Sequence, residues 1–334
     1  MNEKRVTIAQ VAETAGVSLM TVSRVINNKG DVSDETARRV WQIIDELGYR
    51  PSRIARGLAR SRTNTIGLVV PDIGNPFFSD IARGVEHRAY AAGYNVFLGN
   101  TDEDPQRELA LLHSLEDQQV AGLIVCSSRL DDTLLAENLA RFQTAVLVNR
   151  QVAAGSAVSV LVDDAAGGYA AVDLLLQYGH QAVGFLSGPP HSESSRQRRL
   201  GYEAAYAHKG LAYDPDWLRP SPANVAGGQQ AAADLLLAHP ELSALFCYND
   251  LVAVGALKAC WQAGKTVPQD IAIVGYDDIP LADLILPPLT TCRVPTEQLG
   301  QQSMDLLLAQ MAGSPIGDNP VILTPELVIR QSAP

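Results

Sequence analysis

The stretch Thr7-Ile8-Ala9-Gln10-Val11-Ala12-Glu13-Thr14-Ala15-Gly16-Val17-Ser18-Leu19-Met20-Thr21-Val22-Ser23-Arg24-Val25-Ile26-Asn27 decides how the rest of the chain is read. Thr7 and Gln10 have the spacing of a capping box, in which the hydroxyl takes an amide proton of the first turn and the amide side chain reaches back. A helix is expected from there, with Ile8, Val11, Ala12 and Ala15 at helical spacing. Gly16 can supply a positive-φ turn, and Ser18 can cap a second helix running to about Asn27. Ser33 caps a third that ends near Gly48. Three short helices with a small Ala12, a turn at Gly16 and an apolar Val22 fit a helix-turn-helix, whose second helix enters the major groove. On that second helix Val22, Val25 and Ile26 share the inward face, so Leu19, Met20, Thr21, Ser23 and Arg24 face outward or onto the rim. Arg24 suits a bidentate contact to guanine and Thr21 and Ser23 suit phosphates, while Leu19 and Met20 suit thymine methyls or pyrimidine edges. Any three-helix stub shows a similar pattern, so the neighbouring sequence carries weight.

Downstream, Pro51-Ser52-Arg53-Ile54-Ala55-Arg56-Gly57-Leu58-Ala59-Arg60-Ser61-Arg62 is basic and begins like a helix with proline in its first turn. Leu58 is its one bulky apolar residue after Ile54. A leucine in a basic helix that folds on DNA suits a minor-groove wedge; the plainer reading is a tether whose leucine packs on the body. Charge follows the same division. The chain of 334 residues carries a net charge of -11, which alone argues against a polyanionic partner. The first 62 residues, however, hold 11 basic and 7 acidic side chains, and the remainder holds 15 and 30. A basic head on an acidic body implies that only the head approaches nucleic acid.

The body is long enough for one or two α/β units. From Ile66 onward, apolar runs (66–70, 96–99, 122–125, 145–148, 158–162, 183–186, 244–248 and 271–275) alternate with amphipathic stretches such as 78–92, 104–118, 166–178, 195–208, 228–238 and 251–263. That rhythm predicts parallel sheets covered by helices on both faces, as one large sheet or as two lobes. No apolar run reaches the roughly 18 residues of a membrane span, and Met1 to Val11 does not have the form of a secretory signal. A cytoplasmic location without membrane contact is expected. Cys126, Cys247, Cys260 and Cys292 are far apart with no C-x-x-C pair, so they read as buried apolar residues. The six histidines are scattered and no dinucleotide, P-loop, zinc-protease or nucleophile-elbow motif occurs, so neither a reaction nor a cofactor is implied.

Polar clusters do stand at strand ends, where open α/β sheets place ligands: Asp72 to Phe78, Asn149-Arg150, Ser187 to Arg198, Asn249-Asp250 and Asp277-Asp278. Each alone is more simply a helix cap or a turn; five together argue for a polar pocket. Phe77 and Phe78 beside Asp, Asn and Arg suit a sugar, whose C–H faces pack on rings while its hydroxyls form hydrogen bonds.

These residues resemble the lac repressor (LacI/GalR) family of bacterial transcription regulators over nearly the whole chain. Thr7 to Ala12, Ala15 to Ser18 and Thr21 to Asn27 look like its DNA-binding signature, and Tyr49 to Leu58 resembles its hinge helix, with Leu58 at the wedge position. Asn75-Pro76-Phe77-Phe78, Asn249-Asp250, Val274 to Asp278 and Pro287 to Thr291 look like its effector domain. The resemblance implies an N-terminal all-α helix-turn-helix domain (1–50), a hinge helix (51–62) and an α/β two-lobed effector domain (63–334) similar to periplasmic sugar-binding proteins. Three crossovers would join its lobes, the first lobe spanning about 63–163 with a return near 293–324. It assigns DNA contacts to Thr7, Ser18, Leu19, Met20, Thr21, Ser23, Arg24, Asn27, Arg53, Ala55 and Leu58, and effector contacts to Asn75, Phe77, Phe78, Asn149, Arg150, Arg198, Asn249 and Asp277. Two departures stand out. Val294 replaces a glutamine frequent in sugar-responsive members, and Pro220 to Val225 lacks the aromatic often stacked on the effector. The expected function is a repressor of a carbohydrate-utilisation operon, a homodimer on palindromic double-stranded operator DNA. Its effector would be a sugar, sugar phosphate or sugar acid. The chain ends at Pro334 without the heptad-bearing tail of tetrameric members, in keeping with a dimer. The alternatives are a sugar-binding receptor with no DNA-binding role and a sugar-metabolising enzyme. In the latter, Asp277-Asp278 would have to act as a pair, although neighbours in extended chain point opposite ways.

Overall fold

A computed structural model describes residues 6–26, 31–49, 63–152, 157–314 and 319–333, and their contacts divide the chain into two units, Met1–Thr63 and Asn64–Pro334. In the first unit the described helices are α1 (Ile8–Ala15), α2 (Leu19–Ile26) and α3 (Asp34–Leu47). The capping box forms: Gln10 N donates to Thr7 Oγ1 at 3.4 Å and Thr7 N to Gln10 Oε1 at 2.8 Å. Gly16 ends α1 with φ 63°, a left-handed conformation that an L side chain adopts at a cost. Ser18 Oγ accepts from Thr21 N at 3.1 Å and so opens α2. Val11, Ala12, Ala15, Val22, Val25, Val40, Ile43 and Ile44 form the small core, each from the inward stripe of its helix.

The second unit runs β1 (Thr65–Val70), α4 (Pro76–Ala91), β2 (Asn95–Asn100), α5 (Pro105–Asp117), β3 (Gly122–Cys126), α6 (Asp132–Leu139), β4 (Ala145–Val148) and β5 (Val158–Val162). It continues with α7 (Asp164–Gln177), β6 (Val183–Ser187), α8 (Glu193–His208), β7 (Leu218–Pro220), α9 (Val225–Ala238), β8 (Ala244–Cys247), α10 (Asp250–Gln262) and β9 (Ala272–Asp277). The last elements are α11 (Leu281–Leu284), β10 (Thr290–Arg293), α12 (Thr296–Met311), β11 (Val321–Leu323) and β12 (Glu326–Val328).

Two six-stranded sheets result, ordered β11-β5-β4-β3-β1-β2 and β12-β10-β9-β8-β6-β7. All pairings are parallel except β10 with β12. The open alternative of one large sheet is therefore settled as two lobes. The chain passes between them after β5, between β10 and α12, and between β11 and β12. Central strands such as β3 and β4 are buried throughout, as sheets covered on both faces require.

Among the described residues twelve strands take the place of eight expected apolar runs. The additional ones, β7, β10, β11 and β12, are three or four residues long, too short to stand out from the sequence, and only β11 is apolar throughout. In β10 the buried Thr290 and Thr291 hydroxyls are satisfied by Ala333 O at 2.8 Å and Asp250 Oδ1 at 2.6 Å. Helices begin earlier than the apolar spacing suggested because polar caps set their starts. Asn75 caps α4 ahead of Pro76, Asp163 caps α7, Ser192 caps α8 and Asn249 caps α10. All four cysteines are buried and free. No described helix is long and apolar enough to cross a membrane.

Candidate functional site

The outer face of α2 carries the first candidate surface. Leu19 and Met20 are 52% and 65% exposed, while Val22 and Val25 are buried beneath them. Two bulky apolar side chains left in water on one turn cost hydrophobic free energy that a partner's surface would relieve. Thr7, Ser18 and Arg24 are exposed, and Thr21 and Ser23 are half-buried on the rim. Thr7 and Ser18 are also caps, and the Thr21 hydroxyl shares a hydrogen bond of 2.9 Å with Ser18. Asn27, Arg53, Ala55 and Leu58 lie outside the described residues.

The second candidate is a cavity of about 440 Å³ at the C-terminal strand ends of the body. Of the eight residues expected there, Asn75, Phe77, Phe78, Asn149, Arg198, Asn249 and Asp277 line it. Arg150 does not. Its guanidinium turns toward Leu130 O at 3.0 Å and Asp132 at 2.7 Å, so it lines a separate groove with Glu193 and Arg196. Adjacent strand-end residues point to opposite sides, and Asn149 occupies the cavity side.

Both roles argued for the asparagines coexist. Asn75 Oδ1 accepts from Phe77 N at 3.0 Å and Asn249 Oδ1 from Val252 N at 2.9 Å, so each caps a helix while lining the cavity. Asn149 has φ 51° and accepts from Val162 N at 3.2 Å, which ties the end of β4 to the end of β5. Phe77 and Phe78 pack edge to face with ring centroids 5.0 Å apart.

Arg198 is the centre of the charged group. Its Nε donates to Asp164 at 2.9 Å, its Nη1 to Tyr248 O, and its Nη2 lies 3.7 Å from Asp277 Oδ1. The guanidinium carbon sits 3.5 Å from the centre of the Tyr276 ring. Burial opposes its charge, but Asp164, Tyr276 and Asp277 more than compensate, so Arg198 holds its proton more firmly than a free arginine. Burial pushes Asp277 well above the usual carboxylate range, with Arg198 pulling the other way and Asp250 and Asp164 adding to the rise. Asp250, just behind, is raised to about 7, chiefly by burial, against hydrogen bonds from Thr291 and Ile279 N.

Asp277 and Asp278 have φ of 109° and 57°. This bend sends Asp277 into the cavity and Asp278 away from it, to Arg293 and Arg330, each at 2.7 Å. A shared acid–base role for the two is thereby excluded.

Composition and spacing did not single out Asp102, Glu103, Asp164 or Tyr276. Asp102 and Glu103, at φ 57° and 58°, line the cavity wall and are paired with Arg107 at 2.7 Å and Arg129 at 3.0 Å. Among the described lining residues the acids are Asp72, Asp102, Glu103 and Asp277, and the one basic side chain is Arg198. Val294 is buried in the apolar core rather than in the lining; Pro220, Pro222 and Ala223 line the cavity from the segment that lacks the expected aromatic, and Tyr248 lines it from the end of β8. Among the described residues no group of His, Cys, Asp or Glu could hold a metal ion.

A helix-turn-helix with an open reading face, in one chain with a two-lobed sugar-binding-protein-like domain, defines the class: a DNA-binding regulator with a ligand domain. Residues 7–52 match the model of the bacterial regulatory proteins of the lacI family, and residues 63–320 match that of the periplasmic binding proteins and sugar binding domain of the LacI family. The chain is 33% identical over 329 residues to the HTH-type transcriptional repressor PurR of Aliivibrio fischeri (strain MJ11), covering 98% of each. Among solved structures it is similar to the lac repressor dimer bound to operator and the anti-inducer ONPF (TM-score 0.83, 30% identity, 98% and 99% covered). It is also similar to a complex of the transcriptional regulator CelR with cellobiose (TM-score 0.75, 31% identity, 98% and 100% covered). This chain belongs to the LacI family of bacterial regulatory proteins.

Proposed function

We propose that the protein is a transcriptional repressor, a homodimer on a palindromic operator, whose DNA affinity is set by a neutral sugar bound between the lobes of the body. The observation that carries the effector is the Arg198 and Asp277 pair on the cavity floor, with the Phe77 and Phe78 rings in its wall. Donor, acceptor and apolar face are what a polyhydroxyl ring requires. The charge balance narrows the class. A sugar acid or phosphate would find the one described lining arginine already engaged by Asp164, beside Asp72 and Asp277, with Asp102 and Glu103 held by Arg107 and Arg129, so the anionic effectors are set aside. Cellobiose in the CelR complex supports a neutral sugar.

The carbohydrate-utilisation genes such a repressor would control follow from the effector class alone. Dimerisation is supported by unpartnered apolar side chains on both lobes: Phe97 and Leu98 on β2, and Leu284 and Leu286 at 75% and 89% exposure beside α11. Two copies would set two α2 helices about one turn of DNA apart, roughly 34 Å. A sugar that prefers one lobe arrangement changes operator affinity by that preference, through the crossovers and the segment 51–62.

The test is a thermal-shift screen of neutral pentoses, hexoses and disaccharides beside gluconate and ribose 5-phosphate, followed by operator binding with the sugar that responds. Stabilisation by a neutral sugar that also changes operator affinity is expected; stabilisation by the anions alone would overturn this reading. On the DNA side, Arg24→Ala should weaken operator binding by about 1–3 kcal/mol, with non-specific binding less affected. Equal losses on operator and random DNA would remove Arg24 from base reading.

A further inference from the structure

The guanidinium of Arg198 is buried and held from several sides, and the acid that engages its Nε is one that no sequence signal marked. Asp164 opens α7, directly after the chain has crossed from the first lobe to the second. Its side chain and that of Arg198 are 4% and 3% exposed. The backbones around them are in contact: a Cβ on Gly168 would lie 2.5 Å from Arg198 O, and one on Gly201 2.2 Å from Ala165 O. Helix α8, which carries Arg198, is thus pressed against the first turns of α7, and no side chain at those glycines could keep them apart.

Arg198 has five N–H donors. One is taken by Asp164 and one by Tyr248 O, its flat face is covered by Tyr276, and Nη2 is turned toward Asp277 and the cavity. The bond to Asp164 is the one that engages Nε, the guanidinium nitrogen nearest the backbone.

We infer that Asp164 is the positioning residue for Arg198: it holds the guanidinium edge toward the cavity and occupies its charge, so that Arg198 meets an effector as a donor fork for hydroxyls rather than as an anion trap. The arrangement also anchors the effector reader to the first interlobe crossover. A ligand that pulls on Arg198 therefore pulls on the segment about which the lobes move. The inference rests on reading Arg198 as an effector contact, but its test needs no effector.

In full-length protein carrying ¹⁵N-labelled arginine, the Arg198 Nε–H resonance is identified as the one lost in Arg198→Lys. In the wild type it should exchange slowly with water, as a buried donor on a carboxylate does. Asp164→Asn keeps the shape and one acceptor oxygen but drops the charge. It should accelerate that exchange at least about tenfold, as loss of a charge-assisted bond implies, and leave the other arginine signals in place. Asp163→Asn, at the half-buried helix cap next door, should leave the resonance unmoved. An Arg198 signal as protected in Asp164→Asn as in the wild type overturns the inference.

A second measurement guards against a merely structural effect. Arg198→Ala leaves Asp164 buried without its partner, so adding Asp164→Asn to it should raise the melting temperature, although Asp164→Asn alone lowers it. Additive losses would mean that Asp164 serves the helix and not the arginine. Failure of the sugar screen with a protected Arg198 would count against the effector reading instead, so the two failures are distinguishable.

Discussion

The head and the body place their readers in opposite ways. On α2 the side chains proposed to read DNA, Leu19, Met20, Thr21, Ser23 and Arg24, lie within one short stretch of sequence on the water-facing side or rim of a small core. In the body, Asn75, Asn149, Arg198, Asn249 and Asp277 come from five strand ends or helices spread over some 200 residues, and each is at most 6% exposed. The head can therefore change what it reads without changing how it folds. The body cannot: its recognition groups are also helix caps, interstrand ties and ion pairs of the core.

Arg198→Ala tests that contrast most severely. It removes the one cation among the described lining residues and leaves Asp164 and Asp277 buried without it. Breaking a buried pair in this way costs about 3–5 kcal/mol, so urea denaturation should show the body unfolding at a markedly lower midpoint, with sugar binding lost as well. Arg24 is exposed and outside the head's core, so its substitution should change stability by less than about 0.5 kcal/mol. Equal destabilisation by the two would erase the distinction between an expendable reader and a structural one.

The same contrast explains what could be read from the sequence. The head was legible to the residue because capping box, turn glycine and apolar spacing are local rules, and Thr7, Gly16, Ser18 and Ser33 obey them. In the body the βαβ rhythm and the strand-end clusters located the cavity, while the resemblance supplied the specific contacts within it. Arg150 shows the limit: sequence puts it beside Asn149, but only the turn after β4 decides that it faces Asp132. Asp164 was invisible for a different reason. An acid after a strand reads as a cap, and the cap proved to be its neighbour Asp163. Asp102 and Glu103 reach the cavity through two successive positive-φ residues, a backbone choice that no composition rule announces.

A smaller effect separates the regions by pH. Asp250 is fully buried and holds its proton up to about pH 7. It is faced by Thr291, Ile279 N, Asp278 and the Asp277, Asp164 and Arg198 group. Because its folded pKa is raised, the folded body binds a proton that the unfolded chain has already released. This stabilising contribution is complete below about pH 4 and is lost as pH rises to about 7, an effect of about 2–4 kcal/mol. Asp250→Asn is neutral throughout, and its amide can donate to Thr291 while its oxygen accepts from Ile279 N. Relative to wild type it should therefore gain stability between pH 5 and pH 8, measured by urea midpoints across that range. Parallel curves would show that Asp250 is ionised at all these pH values.

The smallest expected effect lies in the head, at a residue where reading and folding do meet. Thr7 is exposed and was assigned to DNA, yet its hydroxyl and amide form both bonds of the capping box with Gln10. Thr7→Ala removes the acceptor for Gln10 N but leaves the backbone donor to Gln10, so about 1 kcal/mol of helix stability should go. Thr7→Ser keeps the cap. If Thr7 contacts a phosphate through its hydroxyl, serine restores both operator affinity and head stability, whereas Thr7→Asp restores the cap alone and repels the backbone. Operator titrations with the three variants, beside amide exchange in α1, separate the two roles. An aspartate variant that binds operator as well as serine would leave Thr7 a cap and nothing more, and the division between a reading face and a folding face would then hold across the whole head.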